Sequence, residues 1–310
     1  MEDELLINAR KAIAEEKFQA AVALFEQLYA TNPTSGMNHE LSNAYYLNQQ
    51  YEEAERIILE KLDVYLNDET NFAFLTAVFL KSESFILLRE LLGSTKLSVD
   101  VKQRALDKLQ QAEVKSQTEL VEFQHQVLNE FYHMADQPVI TQINRFQLAR
   151  KLPLSDWLKG TQFLLLDPFI HPIVRASLLE SIEKMKLTNQ FQFYWLDETS
   201  HEIKGSELQP LSKMQSFKAM MQALDESIAK KDPILGAQLQ EELRLQAMYL
   251  YPYTNKVIND PQLWVNHLVH VYDADESLPV DNLKLANIRN WQEKLQEYTK
   301  SMIDSFKNVE

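Results

Sequence analysis

The chain has 310 residues, of which 45% are hydrophobic and 25% are charged, as in a globular protein of one to three domains. It contains no cysteine, which excludes disulfides, thiol catalysis and cysteine-based metal sites. The formal net charge of −14 disfavours binding to nucleic acids, and the five glycines are too scattered to form a phosphate-binding loop.

The acidic charge is concentrated in the first third of the chain. Residues 1–98 contain 16 Asp and Glu against 8 Lys and Arg, whereas residues 99–310 contain 29 against 23. This distribution favours a basic partner. The acidic N-terminal sequence lacks the basic region of a signal peptide, and the longest apolar runs are shorter than a membrane span. We therefore expect a cytoplasmic protein that binds neither membranes nor nucleic acids.

A helical pattern repeats along residues 1–98. Phe18, Tyr51 and Phe85 follow one another at intervals of 33 and 34 residues, and a helix with small residues precedes each of the first two. In the stretch Leu41–Ala54, Gln49-Gln50 forms the expected turn between two helices. Because small residues let antiparallel helices approach closely, the spacing predicts three consecutive helical hairpins.

These features resemble the tetratricopeptide repeat (TPR). The resemblance is carried by the period, by Leu41–Tyr46 in the first helix, by Ala54 at the helix crossing and by Pro33 at the end of a unit. Gln49-Gln50 stands where the family often has Gly-Asp. Residues 1–98 carry the TPR resemblance, and most of the chain resembles TPR-containing proteins of low-GC Gram-positive bacteria (Firmicutes). This resemblance implies an α-solenoid, a cytoplasmic location and no known reaction.

The resemblance also implies a binding groove, because the first helix of each TPR pair lines the concave face. The implied groove positions are Leu6, Arg10, Ile13, His39, Asn43, Tyr46, Ala73 and Ala77, and we take Leu6, Arg10, His39, Asn43 and Tyr46 as the binding residues. Many peptide-binding TPR domains keep an Asn at the position of Asn43 to hold the ligand backbone; the alternative is a bond to a neighbouring repeat. Since the third unit offers no Lys or Arg in the groove, we expect an extended or helical segment rather than a C-terminal carboxylate.

The rest of the chain is predicted to be helical with one exception. Residues 99–136 lack Pro and Gly and keep a helical period, which predicts a long connecting helix or two nearly collinear ones. Residues 137–310 form the predicted C-terminal domain, in which Asp167–Met185 resembles a HEAT-type helix pair. The run Gln190–Leu208 alternates aromatic and polar residues around a polar turn, which predicts a β-hairpin. Further helices are expected at 212–230, 233–249, 261–272 and 282–307.

No group of residues has the spacing of a catalytic or metal site. His267 and His270 are three apart, whereas a zinc hydrolase helix needs a separation of four, so we expect neither a metal nor a cofactor. The working hypothesis is a non-enzymatic adaptor or scaffold that binds a protein or peptide in the TPR groove. One alternative is a scaffold that self-associates through the hairpin edge. Another is an enzyme or small-ligand site in the C-terminal half that uses Asp167, His171 or Trp195.

Overall fold

The computed structural model describes residues 2–229, 232–272 and 283–307. These residues form a mostly helical protein with one small two-stranded antiparallel sheet, as the sequence predicts. The chain divides into two compact units, Met1–Val127 with Ala149–Trp157 (unit 1) and Leu128–Leu148 with Leu158–Glu310 (unit 2). These limits differ from the predicted domain limits at 98 and 136, because the helix after the third hairpin packs within unit 1.

Unit 1 begins with three helical hairpins. They are α1 (Glu2–Ala14) with α2 (Phe18–Thr31), α3 (Ser35–Leu47) with α4 (Tyr51–Glu60), and α6 (Glu69–Lys81) with α7 (Phe85–Ser94). A short helix, α5 (Leu62–Leu66), joins the second hairpin to the third, and α8 (Val99–Glu119) follows the third. Helices α1 to α4 pack in chain order, while α4 and α8 both pack against α6.

The three hairpins turn in the same way. Glu16, Gln49 and Glu83 have positive φ angles of 56°, 60° and 61°, and each stands two residues before the aromatic residue that opens the second helix. A left-handed backbone costs roughly 1–2 kcal/mol for a residue with a side chain, which is why glycine is common at such turns. The left-handed turn residue therefore recurs at the same intervals of 33 and 34 residues as the sequence pattern.

Small residues at the helix crossings allow the hairpins of unit 1 to pack closely. Ala9, Ala21, Ala44 and Ala54 are completely buried, and large side chains such as Phe25 fill the spaces between the helices. Ridges of side chains on one helix can enter the grooves of the next only when such small residues reduce the distance between helix axes. The core of unit 1 thus runs continuously through the three hairpins and into α8.

One buried amide connects four successive helices in unit 1. The Asn38 Nδ2 of α3 donates to the Ile57 carbonyl oxygen of α4 at 2.6 Å and to the Tyr29 hydroxyl of α2 at 3.1 Å. The Tyr65 hydroxyl of α5 donates to Asn38 Oδ1 at 2.8 Å. Asn38 is completely buried, so each of these bonds satisfies a polar group that water cannot reach.

The segment that was predicted as one connecting helix or two forms two helices. Leu120, with φ −119° and ψ 36°, ends α8, and a second helix, α9 (Val121–Tyr132), follows. A bidentate ion pair attaches α8 to the third hairpin: Arg89 Nε and Nη2 donate to the two Glu113 carboxylate oxygens at 3.0 and 2.6 Å. Both side chains are almost buried, and Glu113 also accepts the backbone N–H of Leu154 at 3.1 Å.

Unit 2 consists of short helices and the hairpin. The elements are α10 (Val139–Ala149), α11 (Leu154–Leu166), α12 (Pro172–Lys184), β1 (Gln190–Tyr194), β2 (Ser200–Lys204), α13 (Gln215–Leu224) with a π-helical turn (Asp225–Ala229), α14 (Pro233–Tyr249), α15 (Thr254–Val257), α16 (Pro261–Tyr272) and α17 (Leu283–Lys307). The division between the units falls inside α9, α10 and α11. Helices α14 and α16 each begin with Pro after Asp, as predicted, and the Asp232 carboxylate caps α14 by accepting two backbone N–H groups.

The predicted hairpin is confirmed, and each of its strands has five residues. Strand β1 pairs antiparallel with β2, so that Gln190 lies opposite Lys204 and Tyr194 opposite Ser200. Phe191 and Phe193 point into the core, whereas Gln190 and Gln192 are exposed and Tyr194 is half-buried. Beyond Lys204 the chain enters a 3₁₀ turn, in which a Cβ on Gly205 would stand 2.2 Å from the Leu187 carbonyl oxygen.

One prediction about unit 2 is wrong in detail. The segment Asp167–Met185 contains one helix, α12, instead of the HEAT-type pair, because Asp167-Pro168 and His171-Pro172 leave room only for a turn before it. His171 is the N-cap of α12.

Candidate functional site

Two of the five predicted binding residues are already engaged within unit 1. Arg10 Nη2 and Nε donate to the same carboxylate oxygen of Glu40 at 2.6 and 2.9 Å, so its charge is neutralised within the chain. Leu6 is half-buried and packs against the core of the three hairpins. Both side chains therefore already make contacts within the chain.

The other three predicted residues follow one another along α3. The His39 ring lies 5.1 Å from the Phe74 ring and 6.1 Å from the Tyr65 ring, so it packs as an aromatic residue. Asn43 is half-buried, and no residue that the structure describes hydrogen-bonds to its amide. Tyr46 packs against Phe74 and against the Tyr51 ring, at 5.7 and 5.6 Å, and it is also part of a groove.

This groove, which we call the lysine groove, lies between α3, α6 and α8. Its volume is about 420 Å³. We call its apolar side chains the floor and its charged side chains, which come from α6, the turn after α6 and α8, the rim. The lining residues are Tyr46, Ala77, Leu80, Lys81, Glu83, Phe85, Lys108, Ala112, Lys115, Ser116, Glu119 and Leu120. Of the predicted concave positions, only Tyr46 and Ala77 contribute to it.

The rim of the lysine groove has more positive than negative charge, although the chain as a whole is acidic. Lys81, Lys108 and Lys115 stand against two glutamates. Lys115 Nζ is 3.5 Å from the Glu119 carboxylate, and Lys81 Nζ is 5.8 Å from the centre of the Tyr51 ring. Lys108 has no ion-pair partner among the described residues. The groove therefore offers at least one free ammonium group beside an apolar floor.

A second cavity, of about 440 Å³, adjoins the lysine groove and shares Lys81 and Glu83 with it. It runs over the turns of the second and third hairpins, where Lys151 and Glu52 form an ion pair. Burial raises the pKa of Glu83, and the nearby Lys151 ammonium partly opposes this effect. The carboxyl group of Glu83 is therefore easier to protonate than that of an exposed glutamate.

The α8 side of the lysine groove was not predicted from the sequence, because cations were expected only within the three repeats. The additional cations come from α8, where Lys108 and Lys115 are seven residues apart with Ala112 between them. Positions i, i+4 and i+7 lie on one face of an α-helix, so the sequence alone could have predicted that the two lysines share a face. The expectation that the third unit lacks cations also overlooked Lys81, the last residue of α6.

Comparisons of the chain with protein-family models, with curated proteins and with solved structures found no match. The resemblance to the TPR family therefore stays a prediction from the sequence. Of the helices that the structure describes, none has the length and apolar character needed to cross a membrane. In the same residues, no three His, Cys, Asp or Glu side chains are grouped so that they could hold a metal ion.

The residues of the enzymatic alternative all lie in unit 2, but they belong to different side-chain clusters. His171 is buried between the Tyr249 and Tyr298 rings, with its Nε2 3.2 Å from the Tyr298 carbonyl oxygen. Burial lowers the pKa of His171 to about 4. Trp195 instead packs against Tyr253, His201 and Trp291. The Asp167 carboxylate accepts the backbone N–H of Phe169, so it closes a turn.

Proposed function

We propose that unit 1 is a TPR-like module that binds an acidic segment of a partner protein in the lysine groove and that acts as an adaptor rather than an enzyme. The observation that carries the proposal is the groove itself, in which an apolar floor is bordered by lysines. Three hairpins with one repeated turn conformation support the TPR-like description. The proposal replaces the basic partner that the charge of residues 1–98 favoured.

The floor of the groove supplies most of the expected affinity. Tyr46 and Phe85 offer aromatic surface, and aromatic side chains bury large areas at interfaces. Asn43 precedes Tyr46 by three positions on α3, a rise of roughly 4.5 Å, so the two side chains lie on neighbouring turns. Its amide lacks a partner in the described chain and can donate to and accept from the backbone of an extended peptide.

The lysines supply selectivity more than affinity. Ion pairs between exposed side chains are worth about 0–1 kcal/mol, because water and salt screen them. Positive charges on a ligand, however, would be repelled by the three ammonium groups of the lining. We therefore expect the groove to prefer a segment with Asp or Glu beside its apolar residues.

The test is a selection of random peptides displayed on phage against the full-length protein, followed by anisotropy titrations with the resynthesised peptides. Substitution Ala77→Trp fills the groove and should weaken binding by about tenfold or more, equivalent to about 1.4 kcal/mol. Tyr46→Ala should act in the same direction. Ala20→Trp, at an exposed site on α2, is the matched control and should leave the affinity unchanged.

Two results would count against the proposal. If the peptides bind the Ala77→Trp variant as tightly as the natural chain, they bind to another surface, and the proposed role of the groove is wrong. If the selected peptides contain no acidic residues, or if Lys108→Glu leaves their affinities unchanged, the groove does not prefer acidic segments. The groove would then still be the binding site. Asn43→Ala tests the predicted contact with the peptide backbone separately.

A further inference from the structure

A second groove, in unit 2, has the opposite charge. It lies between α14 and α17 and reaches the last residue of α16, and its volume is about 980 Å³. We call it the carboxylate groove. Its lining includes Glu241, Glu242, Tyr272, Glu293, Glu297 and Ile303.

The apolar part of this groove is open to solvent. Ile303 is 46% exposed and Tyr272 is 53% exposed, so both side chains offer apolar surface to a ligand. The Tyr272 hydroxyl donates to the Glu242 carboxylate at 2.7 Å, and burial together with this bond raises the pKa of Tyr272 to about 12. The hydroxyl therefore stays protonated and holds the carboxylate at the side of the groove.

The charges of the lining are strongly unbalanced. Five carboxylates stand against two ammonium groups, and one of the latter, Lys307, lies 3.7 Å from Asp304. No described residue forms an ion pair or a hydrogen bond with the Glu241, Glu293 or Glu297 carboxylates. Like charges within a Debye length of about 8 Å repel one another at physiological salt. A cationic ligand would relieve that repulsion while it covers the apolar side chains.

The length of the groove decides between a small cation and a chain segment. The lining residues of α17 extend from Glu293 to Lys307, which corresponds to roughly 21 Å at 1.5 Å per residue. They recur at intervals of three and four residues, so they form one continuous face of the helix. A face of this length matches an amphipathic helix of about 14 residues.

The geometry points to the carboxylate groove as a docking site for a basic amphipathic helix of a partner protein, with its apolar face on Ile303 and Tyr272 and its Lys or Arg side chains facing Glu293 and Glu297. This site is separate from the lysine groove and does not depend on it. The chain's own connection between α16 and α17 is unsuited to this role by its sequence, because residues 273–282 contain four acidic residues and no Lys or Arg.

The experiment uses the full chain and a fluorescein-labelled peptide of about 14 residues with leucines on one helical face and lysines on the other. A second peptide carries glutamate in place of lysine. Anisotropy titrations should show binding of the lysine peptide that weakens as salt is added, and no binding of the glutamate peptide. The double substitution Glu293→Lys with Glu297→Lys should weaken binding by about tenfold or more, and Ile303→Asp should act similarly.

Glu207→Lys is the matched control, because Glu207 is exposed in unit 2 and outside the groove, and its effect should stay below about twofold. Circular dichroism checks that each variant is folded. Equal binding of both peptides, or an equal loss with Glu207→Lys, would overturn the proposal. So would displacement of the peptide by spermine at equal concentration, which would indicate a small cation. A dimer in light scattering that Ile303→Asp dissociates would assign the groove to a second copy.

Discussion

His171 should make unit 2 less stable in mild acid, and the size of the effect follows from its burial. The imidazole is 7% exposed, and its environment disfavours the charged form. The Arg175 guanidinium, one turn further along α12, adds a smaller effect of the same sign, while the Tyr298 carbonyl oxygen opposes both. The pKa of His171 in the folded protein is about 4, against 6.5 for a free histidine.

The sign of the pH dependence follows from these two values. Between pH 6.5 and pH 4, the unfolded chain binds a proton at His171 that the folded protein does not bind. The free energy of unfolding therefore falls as the pH decreases through this window. One pH unit of difference in pKa corresponds to about 1.4 kcal/mol. The loss should be about 2 kcal/mol at pH 5 and about 3 kcal/mol at pH 4 relative to neutral pH.

The assay compares the natural chain with His171→Asn, which keeps an N-cap acceptor for α12 but does not titrate. Urea unfolding is followed by tryptophan fluorescence, since three of the four tryptophans, Trp195, Trp264 and Trp291, lie in unit 2 with His171. Other titrating groups cancel in the difference between the two proteins. The natural chain should lose about 2 kcal/mol more than the variant between neutral pH and pH 5. Equal losses would refute the assignment, as would an NMR titration of His171 with a midpoint near 6.5.

Three further substitutions test the packing and the turns by thermal and urea unfolding. Gly160→Ala would place a Cβ 2.4 Å from the Phe131 ring and should cost about 1–3 kcal/mol, whereas Gly36→Ala in α3 meets nothing within 4 Å and should cost nothing. Gln49→Gly should stabilise the chain by roughly 0.5–1 kcal/mol, because φ is 60° there; Gln50→Gly, at φ −88°, should give no gain. Asn38→Ala leaves the Tyr65 hydroxyl and the Ile57 carbonyl without their buried partner and should cost about 2–3 kcal/mol; a loss below about 0.5 kcal/mol would contradict the network described for it.

The helical hairpins of unit 1 could be predicted because their signals are local. The interval between Phe18, Tyr51 and Phe85 reports the length of a hairpin, and buried alanines mark the crossings. The starts of α14 and α16 could also be predicted from the sequence. The Asp carboxylate accepts backbone N–H groups of the first turn, and Pro at the first position has no N–H that needs a partner. The left-handed turn residues were not readable, because nothing in a Glu or Gln side chain favours φ near 60°. The packing of the two helices of each hairpin requires the left-handed conformation at the turn residue, whatever its side chain.

The candidate sites were harder to predict, because each is made of residues that are distant in sequence. Arg10 had the right position on its helix, but Glu40, 30 residues later, neutralises it. Lys108 and Lys115 were counted only as part of the net charge, although α8 places them on the rim beside Tyr46. Net charge describes the average surface, whereas binding depends on charges within a Debye length of about 8 Å. An acidic chain can therefore hold one groove with an excess of lysines and another with an excess of carboxylates. The type of partner has to be inferred from the lining of each groove rather than from the total.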